Sequence, residues 1–163
     1  MKTLPTLAAI LLAATSTAAF AAPTAQEFVT KASVAGMFEV ETSNVALTHS
    51  SDADVKAFAK QMVTDHTAAG NTLKTIAAKE GLKPATALDS NHQEKLDELK
   101  TASKDDFNDT YISLQEDAHD DAVSLFGDYA KNGDNAALKQ FAAKTLPTLE
   151  KHKAHIEKLD DMR

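Results

Sequence analysis

The sequence predicts an all-α protein: an antiparallel four-helix bundle with one extra short helix before the third long helix. Three observations lead there. Ala, Leu, Lys, Glu and Asp are abundant in a chain whose hydrophobic residues make up 43% and aromatics only 6%. Apolar residues recur at three- and four-residue spacing through four long stretches, with no credible alternating segment between them. Each stretch is preceded by a capping residue, and two of the breaks carry Gly81 with Pro84 and Asn132 with Gly133.

Thr24 with Glu27 forms a capping-box pattern that opens a first helix running to about His49. Its inward stripe reads Phe28, Ala32, Ala35, Glu39, Thr42, Ala46. Ser50, Ser51 and Asp52 supply the next cap, and the second helix runs to about Glu80, where Gly81 suits a left-handed stop. Val55, Ala59, Met62, His66, Ala69, Leu73 and Ile76 form its stripe. A polar connection leads to a short helix over 90–101, an added arm. Ser103 with Asp106 opens the third long helix, which stops at Asn132-Gly133 and points Phe107, Tyr111, Ile112, Gln115, His119, Ala122, Phe126 and Tyr129 inward. Asp134 is the expected cap of the fourth, whose stripe is Leu138, Ala142, Thr145, Leu149, His152, Ile156, Leu159. Pro147 lies inside that helix and predicts a kink, because proline removes a backbone donor and crowds the preceding turn.

Short connections after the first and third long helices make two antiparallel hairpins, which pack naturally as a bundle. A weak repeat relates them: Val55-Lys56-Ala57-Phe58-Ala59 resembles Leu138-Lys139-Gln140-Phe141-Ala142, and both helices later carry His followed seven residues on by Leu. With both hairpin turns at one end, Glu39, His66 and His119 share a depth within about one turn, and His152 lies several residues deeper.

Residues 1–21 read as a secretory signal, with Lys2, an apolar stretch from Leu7 to Ala14, and the small-x-small site Ala19-Phe20-Ala21. Residues 22–163 then form a single mature helical domain, and the expected location is the periplasm. The apolar stretch is shorter than the roughly 20 residues that a membrane crossing needs. The chain has no cysteine, which excludes disulfides, zinc-thiolate sites, a cysteine nucleophile and a lipid-attachment cysteine. With 17 Lys and Arg against 24 Asp and Glu, and no basic block, a nucleic-acid partner is not expected. Phosphate-binding loops, nucleophile elbows and dinucleotide fingerprints are also missing.

What remains is a set of polar residues on apolar stripes. His66, His119 and His152 each sit on a different helix, with Glu39 on a fourth. A polar group out of water needs a partner, a proton equilibrium or a metal, since leaving it unpaired costs roughly 1–3 kcal/mol. Imidazole nitrogens with a carboxylate suit one transition-metal ion, zinc, copper or iron, whereas calcium and magnesium prefer all-oxygen shells. Glu116 and His119 add a Glu-x-x-His pair of the kind found in di-iron bundles. Val63 and Leu149 stand where His66 and His152 would each need a matching glutamate, which argues against a di-iron oxidase. The competing reading is a purely structural one: core histidines hydrogen-bonded to Glu39, Gln115, Thr42, Thr145 or Tyr111 that fix helix register. Met37 and Met62 read as core filler, and His49, His92 and His155 as surface or flank residues.

The chain resembles a bacterial exported family known as domain of unknown function 4142, ferritin-like helical bundles often labelled outer-membrane proteins. The resemblance is carried by Glu39-Val40-Glu41, by the run from Phe58 to Met62 continuing through Val63-Thr64-Asp65-His66, by Phe107 to Tyr111 followed by Gln115 and His119, and by Leu146-Pro147 followed by His152. Asn108 stands where that family usually has aspartate, with Asp109 next. The resemblance implies a ferritin-like fold, an exported location and a recurrent set at Glu39 or Glu41, His66, His119 and His152. It implies no established reaction. The functional expectation is therefore an exported bundle that binds a transition metal at Glu39, His66, His119, His152 and Glu116 and contributes to envelope stress tolerance. A ferritin-like metal-dependent oxidoreductase and a metal-free structural or interaction module are the alternatives.

Overall fold

Local signals set the helix ends in the structure, a computed structural model that describes residues 23–163. The expected signal segment lies outside the described residues. Helix α1 (Ala25–His49) opens on a complete capping box: the Glu27 amide donates to the Thr24 hydroxyl, and the Thr24 amide donates to the Glu27 carboxylate at 2.8 Å. Helix α2 (Ala53–Glu80) is capped by Asp52, which accepts from the amides of Asp54 and Val55, and stops at Gly81 with φ 70°, a left-handed turn that glycine makes without a Cβ clash. Helix α3 (Ser90–Thr101) starts from Asp89, which accepts from the His92 amide at 2.9 Å.

The last two helices are α4 (Phe107–Asn132) and α5 (Ala136–Asp161). Ahead of α4 the expected Ser103–Asp106 pair closes, the Asp106 amide donating to the Ser103 hydroxyl at 3.2 Å and that hydroxyl to the Asp106 carboxylate at 2.6 Å, while Asp106 at the helix start makes no side-chain cap of its own. Asn135, not Asp134, caps α5 by accepting from the Leu138 amide at 3.0 Å, because Asp134 is engaged by the Tyr129 hydroxyl at 2.8 Å. The break at Gly133 is likewise not left-handed, since its φ is −58°. Glycine is needed there for room: a Cβ would stand 2.5 Å from a ring carbon of Tyr129. Pro147 does not divide α5, which is assigned unbroken through it. Both Pro147 and Ala143, whose carbonyl loses its helical partner, lie on the exposed face, where solvent has access to that oxygen.

Helices α1 and α2 form one hairpin and α4 and α5 the other; α1 packs on α4, α2 on α5, and α3 lies across α1 and α4. The hairpins run head to tail. At one end the Ser50 hydroxyl, just past α1, bonds Asn108 at the start of α4 at 2.8 Å. At the opposite end Asn135, before α5, bonds Glu80 at the end of α2 at 2.6 Å. The segment 81–106 therefore travels the length of the bundle, tied to α1 by Gln26 with Lys83 and by Ser33 with Ala85, before α3 closes over the far end. A single long crossover between two hairpins is the connectivity of ferritin-like bundles.

This inversion overturns the depth reckoning made with both turns at one end. Counted from the end of the α1–α2 turn, Glu39 lies ten residues from His49, His66 thirteen from Ala53, His119 twelve from Phe107 and His152 nine from Asp161. At about 1.5 Å per residue all four fall within about two thirds of a turn to one turn of each other. His152 is not deeper than the rest. The layer they form divides the core into two apolar clusters, one built around Phe38, Phe58, Tyr111 and Ile156, the other around Phe28, Tyr129, Leu138 and Leu149.

Candidate metal centre

Each long helix delivers one residue to this layer, and all four side chains are buried: Glu39 is 1% exposed, His66 7%, His119 0% and His152 1%. The three imidazoles stand in a triangle with ring centroids 5.6, 5.4 and 5.5 Å apart. One nitrogen of each lies within 4.8 Å of one nitrogen of both others. An ion bound at about 2.0–2.1 Å by three nitrogens holds them roughly 3.4 Å apart, so inward ring movement of about 1 Å closes the site.

Every ring spends its other nitrogen on an acceptor. His66 Nδ1 donates to Glu39 Oε2 at 2.8 Å. His119 Nδ1 donates to the Gln115 carbonyl at 2.7 Å, one turn back on its own helix. His152 Nε2 donates to Asp65 Oδ2 across the α2–α5 seam at 2.9 Å. A proton fixed on one nitrogen leaves the lone pair on the other, and these partners set both tautomer and ring direction. The remaining nitrogens, His66 Nε2, His119 Nε2 and His152 Nδ1, are buried without a hydrogen-bond partner. Once His66 gives up its second proton, three lone-pair nitrogens, each ring backed by an acceptor, make a donor set suited to a transition-metal ion.

Burial and neighbouring charge set the protonation of the group. Burial disfavours the Glu39 carboxylate, but the charge and hydrogen bond of His66, helped by His119 and His152, outweigh it and hold the carboxyl below its ordinary value. Burial likewise opposes a charged His66, yet Glu39 raises that imidazole above the usual histidine range. For His119 burial wins over Glu39 and lowers the ring. Burial also dominates at His152, where repulsion from His66 and His119 adds to it against the Asp65 bond, and the ring falls to about 4. The layer thus holds one Glu39–His66 ion pair beside two neutral imidazoles.

Of the residues singled out in the sequence, Glu39, His66, His119 and His152 come together and Glu116 does not. Glu116 is half-buried toward the end of α5, where burial and the nearby charges of Asp160, Glu157 and Asp120 raise its carboxyl against the pull of Arg163. Glu39 joins the layer through His66; its Oε1 stays 3.7 Å from His119 Nε2, beyond a hydrogen bond. Thr145 is half-buried, whereas Gln115 and Thr42 bond each other at 2.9 Å and Tyr111 bonds Ser43 at 2.9 Å. Asp65 was given no role in the sequence reading. Its signal is its place one residue before His66, which turns it about 100° round α2 toward α5.

Residues 11–159 match the family described as Domain of unknown function (DUF4142). The chain belongs to this family. No curated protein matches by sequence. Two solved structures share the fold. A DUF305 fragment from Deinococcus radiodurans superposes with a TM-score of 0.73 at 14% identity, covering 85% of this chain and 97% of its own. CopM in its Cu(II)-bound form gives 0.71 at 16% identity, covering 85% of this chain and 96% of its own. Both are similar all-helical bundles, and at such identity the likeness is one of fold. Among the described residues no helix is long and apolar enough to cross a membrane.

Proposed function

We propose that this DUF4142 protein is an exported, periplasmic bundle that binds one divalent transition-metal ion, zinc, copper or iron, on His66, His119 and His152, and so handles metal in the bacterial envelope. The observation that carries this reading is the pairing pattern: each histidine gives one nitrogen to an acceptor and leaves the other buried without a partner, and the three rings bring a nitrogen each within 4.8 Å of one another. A core built only to fix helix register would pair both nitrogens, since each orphan costs stability. Glu39 in this reading orients His66 and supplies negative charge behind it, and Asp65 does the same for His152, while Glu116 takes no part. Copper has added support from CopM, a relative in fold whose structure holds Cu(II). Tolerance of envelope stress is the physiological consequence we attach to this role.

The oxidoreductase alternative is weakened by the same geometry. A di-iron centre needs carboxylates on every helix of the layer, and here Glu116 is turned away and Val63 and Leu149 replace the other two. Elemental analysis of the protein isolated from metal-replete cells tests the proposal. It predicts one ion per chain, and none in a His66→Ala/His119→Ala variant that still folds by circular dichroism. A wild-type protein free of metal after isolation and after incubation with zinc, copper and iron salts would refute it.

A further inference from the structure

The three-histidine layer forms the floor of a groove of about 510 Å³ that runs along the bundle toward the second apolar cluster. His66, His152 and Glu39 line it, whereas His119 does not reach it and is fully buried. Two of the three ligands therefore border the groove, while His119 lies behind them in the core. An ion held by three side chains keeps a fourth position for an outside donor. Beyond the floor the lining is apolar over most of its area, formed by Ala32, Leu73, Ala122, Phe126, Phe141 and Leu149, with Asn71, Lys74, Lys144 and Thr148 among the polar residues that also border it. Two glycines also line it in mid-helix, Gly36 and Gly70, and nothing stands within 4 Å of where a Cβ would sit at either. Glycine is a poor residue for a helix interior, so two of them bordering free space leave the groove wide rather than serve close packing.

Resting on the metal reading, we infer that the groove is a ligand site: a small monoanion with an apolar body, such as a medium-chain carboxylate, binds the ion through one oxygen and lays its chain along the apolar walls. The volume falls in the range of about 300–1,000 Å³ typical of small-molecule pockets, whose lining is likewise apolar over most of its area. An anionic oxygen is the natural fourth donor for a divalent ion on neutral imidazoles. Azide, which has no apolar body, reaches the same position but gains nothing from the walls.

Cobalt(II) substitution gives the readout, because its visible bands report coordination independently of any turnover. The full-length mature protein is loaded with Co(II) and titrated with azide and with octanoate, then the titrations are repeated with Gly70→Leu and with Gly36→Leu, which fill the groove without touching a ligand. Both anions should shift the bands saturably, octanoate binding at least tenfold more tightly than azide, and the filled variants should keep the cobalt spectrum and the azide response while losing most of the octanoate affinity. Either variant suffices should the other fail to fold. If no three-nitrogen cobalt spectrum forms, the metal reading falls and this inference with it. If the spectrum forms but neither anion alters it, or azide binds as tightly as octanoate, the metal reading stands and the ligand site is refuted.

Discussion

Acidifying the metal-free protein should unfold it through His152 before any carboxylate contributes. Burial and the neighbouring imidazoles hold that ring at about 4, against an ordinary 6.5 in the unfolded chain. Between those values the unfolded chain binds a proton that the folded chain refuses, so stability falls as pH drops. At pH 4.5 the difference amounts to about 2–3 kcal/mol relative to neutral pH, a large share of the roughly 5–15 kcal/mol that holds a domain of this size. The neighbouring groups act elsewhere in pH. His66 is raised, so its stabilisation is complete below about 6.5 and lost only as pH rises through its higher folded value. Glu39 is lowered, and its stabilisation is present above about 4.5 and lost below. His119, also lowered, adds to the loss at His152. Urea denaturation in chelator from pH 7.5 to 4.5 measures the effect, with His152→Asn as the reference that cannot titrate there. The wild type should lose about 2–3 kcal/mol more than the variant. Equal slopes, or wild-type stability that is flat or rises on acidification, would refute a buried neutral imidazole at this position.

Metal uptake should release about one proton near pH 6, because the lone pair of His66 becomes available only when the raised imidazole loses its charge; calorimetry in two buffers of different ionisation enthalpy counts it, and zero release would contradict the Glu39–His66 ion pair. Glu39→Gln keeps the shape of the acceptor but removes its charge, and should weaken metal binding by about 10–100-fold, read by competition with a chelating dye; unchanged affinity would deny the carboxylate its supporting role. Gly133→Ala should lower stability by about 1–3 kcal/mol in a thermal melt, since the added methyl must displace the Tyr129 ring that stacks on Phe28 at 4.0 Å and bonds Asp134. A neutral substitution there would show that the ring moves aside freely.

Sequence periodicity was a reliable guide wherever one face alone decides a residue's fate. The inward stripe of α4 is buried at every position expected, from Phe107 to Tyr129, because a regular helix with one buried face transmits its pattern directly. On α1 the same reasoning missed Val29, Val34, Phe38 and Ser43, since that helix is covered on more than one face: Phe38 packs edge-on against His92 of α3 and Ser43 bonds Tyr111 of α4, and no pattern within α1 announces either. The caps expected at Thr24 and Asp52 form, whereas the Asp134 carboxylate is taken by the hydroxyl of Tyr129 five residues earlier and Asn135 caps α5 instead. The histidine triangle was legible as a set of stripe positions. Its geometry was not, because hairpin order decides depth, and two hairpins packed head to tail leave no trace in their own turns. Asp65 was hidden for a related reason: its partner His152 is 87 residues away, across a seam that only the packing of α2 on α5 creates.

The central claim is that one ion sits among three imidazoles, and anomalous diffraction from crystals grown with zinc or copper tests it most directly. Data collected at the metal edge should show one strong peak per chain, about 2.0–2.2 Å from His66 Nε2, His119 Nε2 and His152 Nδ1. A layer with no peak at full metal occupancy elsewhere, for example on the exposed pair of Asp89 and His92, would contradict the account.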